Sequence, residues 1–189
     1  QSSQHLGYSG TKSSVQLLSD VTLTQTERLA TGISEFDRVL GGGIVRGSMV
    51  LIGGTPGAGK STLLLQVIAN LAIQDISVLY VSGEESLQQI AERAIRLGLP
   101  LNKINMLTET SVQSICNTLD ELKPKILVID SIQVMHTQTS ESTPGSVSQV
   151  KESASYLTQY AKKNDVSVFM VGHVTKDQSL AGPMTLSHI

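Results

Sequence analysis

GTPGAGKS, running Gly54-Thr55-Pro56-Gly57-Ala58-Gly59-Lys60-Ser61, decides how the rest of the chain is read. The apolar run MVLI at 49–52 precedes it and the leucine-rich run at 63–71 follows it, so strand, glycine loop and helix come in that order. The spacing G-x-x-x-x-G-K-[ST] is that of a phosphate-binding loop. A triphosphate needs successive backbone N–H groups turned inward, and glycine reaches the required angles without a Cβ clash. Gly54, Gly57 and Gly59 supply that freedom, with Thr55, Pro56 and Ala58 between them. Lys60 is then the point charge for the β and γ phosphates, the Ser61 hydroxyl a ligand for Mg²⁺, and Thr62 opens the helix whose positive end faces the nucleotide. A glycine-rich turn matching by chance would lack these flanks.

The chain has 189 residues, 40% of them hydrophobic, enough for one well-buried core and too few for two large domains. A net charge of −2 gives no general attraction to nucleic acid and leaves room for local basic loops. Aromatic residues are 3% with no tryptophan, so stacking of bases on aromatic platforms is not the expected mode of any nucleic-acid contact. The single cysteine, Cys116, excludes an internal disulfide and a cysteine-cluster zinc site within these residues, as suits a reducing compartment. No run approaches the ~18 apolar residues of a membrane span, and the first thirty residues lack a secretory signal core. The cytoplasm is the expected location.

Residues 1–20 are mostly Ser, Gln, Gly and Thr, a composition that does not offset the entropy of ordering, and read as a flexible linker before a domain at 21–189. A linker with no fold of its own leads to the expectation of a fragment whose upstream domain is missing. A short helix over 34–40 should be stopped by Gly41, Gly42 and Gly43. Leu63, Leu64, Val67, Ile68 and Leu71 give the helix after the loop an apolar face. SVLYVS at 77–82 reads as a strand buried on both faces, followed by Gly83-Glu84-Glu85. Leu87, Ile90, Ala91, Ala94 and Ile95 mark the next helix, closed by Gly98 and Pro100, and a short strand follows at 104–107. Thr110 with Gln113 has the form of a capping box for a helix over 111–122, with Val112, Ile115, Cys116, Leu119 and Leu122 inward. Cys116 reads there as a small core residue. A strand at 125–129 ends in Asp130-Ser131, and a polar stretch at 137–148 carries Pro144-Gly145, as a binding loop or a disordered one. Val147, Val150, Ala154, Leu157 and Ala161 give another helix, 167–171 the last clear strand, and 172–189 a polar tail with Lys176 and His188. This alternation predicts an α/β fold: a mostly parallel twisted sheet, helices on both faces, ligands at the strand C-terminal ends.

Phosphoryl transfer rests on positioning and charge, so a phosphate loop needs a second acidic group for Mg²⁺ or its waters. Asp130, after four apolar residues, stands at a strand end and is expected beside Ser61; its alternative is a helix cap. An attacking water needs a carboxylate, and Glu84 is preferred to its neighbour Glu85. Successive residues at a strand end point different ways, which suits one of the pair to the γ-phosphate and the other to the helix start. His173 ends the last strand, where it would sense the γ-phosphate or be satisfied by backbone. No histidines stand at transition-metal spacing. Asn102-Lys103-Ile104-Asn105 nearly matches the guanine-reading N-K-x-D, but an amide at 105 offers one acceptor where guanine needs a carboxylate. ATP is therefore the expected nucleotide.

RLATGISEFDRVLGGGIVRGS, LIGGTPGAGKSTLLLQ, VLYVSGEES, ILVIDSIQ, VGHVTK and LAGP together resemble the RadA/Sms family of bacterial DNA repair proteins, RecA-like ATPases, across nearly all of 17–189. The resemblance implies a RecA-like P-loop core, ATP-dependent action on DNA in recombination and branch processing, hexameric rings, and helicase-like translocation on single strands. It places the Walker A residues at 54–61, the Walker B aspartate at Asp130 and the catalytic glutamate at Glu84, and likens 137–148 and 175–188 to two DNA-facing loops. Family members also carry a four-cysteine zinc module before the linker, a K-N-R-F-G motif and a Lon-protease-like domain. None of these falls within the present residues, so an isolated ATPase core, truncated at its C-terminal end, is expected. Gln178 and Met184 stand where the family has glycine and a basic residue in K-D-G-x-x-A-G-P-K, a departure at the second loop's DNA contacts.

Three readings follow. The first is an ATP-driven motor core that binds single-stranded DNA, its site completed by a neighbouring subunit. The second is a regulatory ATPase similar to KaiC, whose P-loop region and paired glutamates look alike. The third is an ATP-gated assembly platform that binds nucleotide and barely cleaves it.

Overall fold

A computed structural model of the chain describes residues 13–24, 27–54, 58–138, 142–173 and 185–186. Two-residue strands β1 (Arg28–Leu29) and β2 (Ile44–Val45) pair antiparallel around α1 (Ser34–Val39). Then follow β3 (Met49–Gly54), α2 (Ala58–Ile73), β4 (Val78–Ser82), α3 (Leu87–Arg96), β5 (Asn105–Thr108), α4 (Val112–Leu122), β6 (Ile126–Asp130), α5 (Val147–Asn164), β7 (Ser167–His173) and β8 (Thr185–Leu186). The main sheet is parallel with the order β5-β4-β6-β7-β3-β8.

The two-residue period of the strands sorts their side chains into two cores. Val50, Ile52, Val78, Tyr80, Ile126, Val128, Phe169 and Val171 face α2 and α3 in one buried cluster. Leu51, Leu79, Val81, Leu127, Ile129, Val168 and Met170 face α4 and α5 in the other. Alternation therefore sends every second strand residue, Asp130 included, to the α2 side.

Helix α2 is covered more widely than one apolar face requires. Leu65, Ala69 and Ala72 are buried along with Leu64, Val67, Ile68 and Leu71, because Phe36 and Ile44 join the same cluster and Asn70 Nδ2 donates to Thr31 O at 3.1 Å. Phe36 reaches as far as Phe169, ring centroids 5.6 Å apart. Helix α3 is covered less than its pattern suggests. Only Ile90 and Ala94 are buried, while Leu87 and Ile95 are exposed, since α3 lies over β5 at the sheet edge.

The capping box expected at Thr110 and Gln113 does not form. Ser111 is the N-cap and accepts from Ser114 N, Thr110 O accepts from His136 N, and Gln113 Oε1 accepts from Gln138 N. Tertiary pairing with the segment after β6 has taken both residues. The box forms at Ser86 and Gln89 instead, opening α3. Residues 13–24 hold a single turn, Leu18–Asp20, and bury nothing. Among the described residues no helix is long and apolar enough to cross a membrane.

Candidate nucleotide site

Strand β3 ends at Gly54 and α2 begins at Ala58; Thr55, Pro56 and Gly57, the centre of the expected phosphate loop, lie outside the described residues. The residues on either side of them are described. Gly54 has φ +156°, and a Cβ there would stand 3.3 Å from Lys60 Nζ. The lysine amine thus lies across the strand end in space that any larger residue would take. Lys60 and Ser61 are each only 7% exposed in the first turn of α2. Gly59 is exposed and Thr62 half-buried.

Asp130 at the end of β6 meets Ser61 of α2 although β7 stands between β6 and β3, the strand that precedes α2. Its carboxylate faces the α2 side, and Ser61 Oγ donates to Asp130 Oδ2 at 2.5 Å. A hydroxyl has one proton and two lone pairs. Spending the proton on Asp130 leaves Ser61 oxygen lone pairs for a cation, and a hydroxyl beside a carboxylate is the hard oxygen set that Mg²⁺ takes. The residues fit the ion. Asp130 is no helix cap: the turn Ile132–Val134 has Ser131 at its N-cap position, with no side-chain cap bond.

Glu84 and Glu85 part company one residue after β4. Glu85 forms an ion pair with Arg93 of α3, and its backbone N–H donates to Ser82 Oγ at 3.0 Å. Glu84 turns toward the Asp130 strand end, where its Oε1 accepts from Ser131 Oγ at 2.9 Å and lies 3.0 Å from His173 Nε2. His173 is therefore paired with a carboxylate and not with backbone. Gly83 permits the close approach: its N–H donates to Asp130 O at 2.9 Å, and a Cβ would come within 2.4 Å of Val134 Cγ2.

Three contributors were not legible as site residues. Ser131 and Gln133 stand one and three residues after Asp130, and Gln133 Nε2 donates to His173 O at 3.3 Å, joining the ends of β6 and β7. Gln133 Oε1 and His173 Nδ1 are buried without a hydrogen-bond partner among the described residues. Tyr80 is the third: its phenol donates to Asp130 Oδ2 at 2.5 Å. Burial first, and the Asp130 charge second, raise its pKa well above the usual phenol value, so it stays a neutral donor. A tyrosine in a buried strand reads as core, and only its hydroxyl hinted at more.

The near-guanine motif lies at the other end of the sheet. Asn105 Nδ2 donates to Val78 O at 3.1 Å, at the start of β4, and Lys103 pairs with Asp75 at 3.0 Å. Neither touches the cluster around Asp130. A cleft of about 480 Å³ between Arg28, Ile44, Ile76, Lys125 and Asp165 also opens at that far end and holds none of these groups. Most of 137–148 is described, but 139–141 is not; of the second expected loop, Lys176, Gln178, Met184 and His188 lie outside the described residues.

The parallel sheet with helices on both faces is a RecA-like α/β fold, and the family model "ATPase: KaiC" matches residues 29–110. The chain is RadA-like. It is 61% identical over 183 residues to the DNA repair protein RadA of Haemophilus influenzae, covering 96% of this chain and 40% of that protein. Against Escherichia coli RadA the figures are 60% over 184 residues, 96% and 40%, and against Bacillus subtilis RadA 48% over 185 residues, 96% and 40%. The chain thus spans about two fifths of the relatives it matches, and the family recognised from the motifs is the one these comparisons return.

Proposed function

We propose that the chain is the ATP-hydrolysing core of a DNA repair and recombination motor that grips single-stranded DNA and works as a ring, hexameric by the family resemblance. The observation that carries this reading is the convergence of Ser61, Asp130 and Glu84 from three elements on one end of the sheet. Lys60 neutralises the β and γ phosphates of ATP, and the N-terminal turn of α2 adds the positive end of its helix dipole. Mg²⁺, held by Ser61 with Asp130 behind it, would supply charge neutralisation of the phosphates and fix their orientation. Glu84 accepts the proton of the attacking water; Ser131 and His173 both contact its Oε1, which leaves the second oxygen to the water. His173 at the end of β7 responds to the γ-phosphate through that shared carboxylate.

Single-stranded DNA is the proposed partner because the two segments likened to DNA-facing loops follow the Asp130 turn and His173 in the sequence, and Gln133 ties the ends of β6 and β7 together. A cation from a neighbouring subunit completes the site. Such a group is worth about 10³ to 10⁵ in turnover, so an isolated monomer hydrolyses ATP slowly. The match of the KaiC model to residues 29–110 supports a second reading, a regulatory ATPase or ATP-gated platform that does not move on DNA. Titration of single-stranded DNA into the assembled protein at several salt concentrations separates the two. The motor reading expects ATP-dependent binding whose log K falls with log salt by about 0.7 per phosphate contact; absence of binding by an assembled ring favours the second.

A further inference from the structure

Tyr80 is a member of the buried α2-facing cluster that carries a hydroxyl, and that hydroxyl is aimed at the carboxylate assigned to the metal. Tyr80 stands opposite Val128 in the β4–β6 register, and Asp130 is two residues further on the same face. That diagonal is within reach of a long aromatic side chain. Phenylalanine would fill the same core, and a buried phenol needs only some acceptor. Here the acceptor is the oxygen of Asp130 that Ser61 also uses, Oδ2, both at 2.5 Å.

We propose that Tyr80 is a positioning residue for the metal site: with Ser61 it clamps Asp130 Oδ2, fixes the carboxylate plane, and leaves Oδ1 as the oxygen presented to the cation's water shell. Two donors on one oxygen stop rotation about the Cβ–Cγ bond. They also hold a buried charge that one hydroxyl would leave poorly compensated. Without the phenol, the carboxylate has to be oriented by the metal itself, at the expense of metal affinity. The proposal rests on the nucleotide-site reading above and adds to it a residue that touches neither nucleotide nor metal.

The test is Tyr80→Phe, with circular dichroism to establish folding and an N-methylanthraniloyl-labelled ATP as probe. Its fluorescence is followed in EDTA and then against rising Mg²⁺. The expected result is metal-free binding within about twofold of wild type and a Mg²⁺ midpoint raised about tenfold, equivalent to ~1.4 kcal/mol. A midpoint within twofold of wild type, or a lower one, overturns the proposal. Should wild type bind no labelled ATP, the nucleotide reading fails by itself. The clamp is then judged from thermal unfolding without ligand, where the losses from Tyr80→Phe and Asp130→Ala should be markedly non-additive. Additive losses overturn it. If Tyr80→Phe alone does not fold, Tyr80→Phe with Asp130→Asn must, because the amide removes the charge left short of a donor; failure of both overturns the clamp.

Discussion

Replacing Glu84 by glutamine removes a charge while keeping an oxygen where Ser131 Oγ donates at 2.9 Å and His173 Nε2 lies at 3.0 Å. The site's shape is conserved and the proposed proton acceptor is lost. The Glu84 side chain is 38% exposed, open enough to admit a water and to make the swap cost less than about 1 kcal/mol of stability. A positioned general base contributes about 10² to 10⁴ in rate, or ~2.7–5.4 kcal/mol of barrier. Single-turnover phosphate release with protein in excess should therefore slow by that factor, while labelled ATP binds within about threefold of wild type. Glu85→Gln is the matched control. It breaks the partly buried pair with Arg93, whose side chains are 26% and 13% exposed. Its effect should be ~1–2 kcal/mol of stability with turnover little changed. Phosphate release within threefold of wild type in saturated Glu84→Gln refutes the assignment, and a collapse confined to Glu85→Gln reverses it.

Gly83→Ala places a Cβ 2.4 Å from Val134 Cγ2 and 3.2 Å from Met135 Cε; overpacking of this kind costs about 1–3 kcal/mol, and a melting temperature lowered by roughly 3–10 °C is expected. Because Val134 belongs to the turn that carries Ser131 and Gln133, turnover should fall with it. Burial first, with Asp120 second, pushes the Cys116 thiol up to about 11. At pH 8 it should react with a disulfide reagent only after unfolding, and rapid labelling of native protein would contradict its place in the core. The same shift sets a sign. Above the unfolded thiol's pKa the unfolded chain has shed a proton that the folded one keeps, so stability falls as pH rises from about 9 toward 11. Cys116→Ala should flatten that part of the profile.

The fold was legible where chemistry and periodicity coincide. The run at 49–52, the glycines and the leucines of α2 each demand a different conformation, and Asp130 after four apolar residues reads as a strand end. Strand order was not legible. Nothing local says that β7 comes between β3 and β6, and Asp130 still meets Ser61 because alternation turns its side chain to the face that α2 covers. The glutamate pair shows the same limit. Glu84 and Glu85 differ only through Arg93, Ser131 and His173, which arrive from α3 and from the ends of β6 and β7. Thr110 and Gln113 carry the capping pattern as plainly as Ser86 and Gln89, yet long-range partners claimed the first pair. Strands of two residues, β1 and β2, have no period to read.

In the proposed function, the segment between β3 and α2 holds the triphosphate of ATP with Lys60. The most direct measurement is the equilibrium binding of labelled ATP with Mg²⁺ to wild type and to Lys60→Ala. The expected result is one saturable site per chain in wild type and at least about tenfold weaker binding in the variant, since a charge-assisted contact to phosphate is lost. No saturable binding, or equal binding by both proteins, would contradict it.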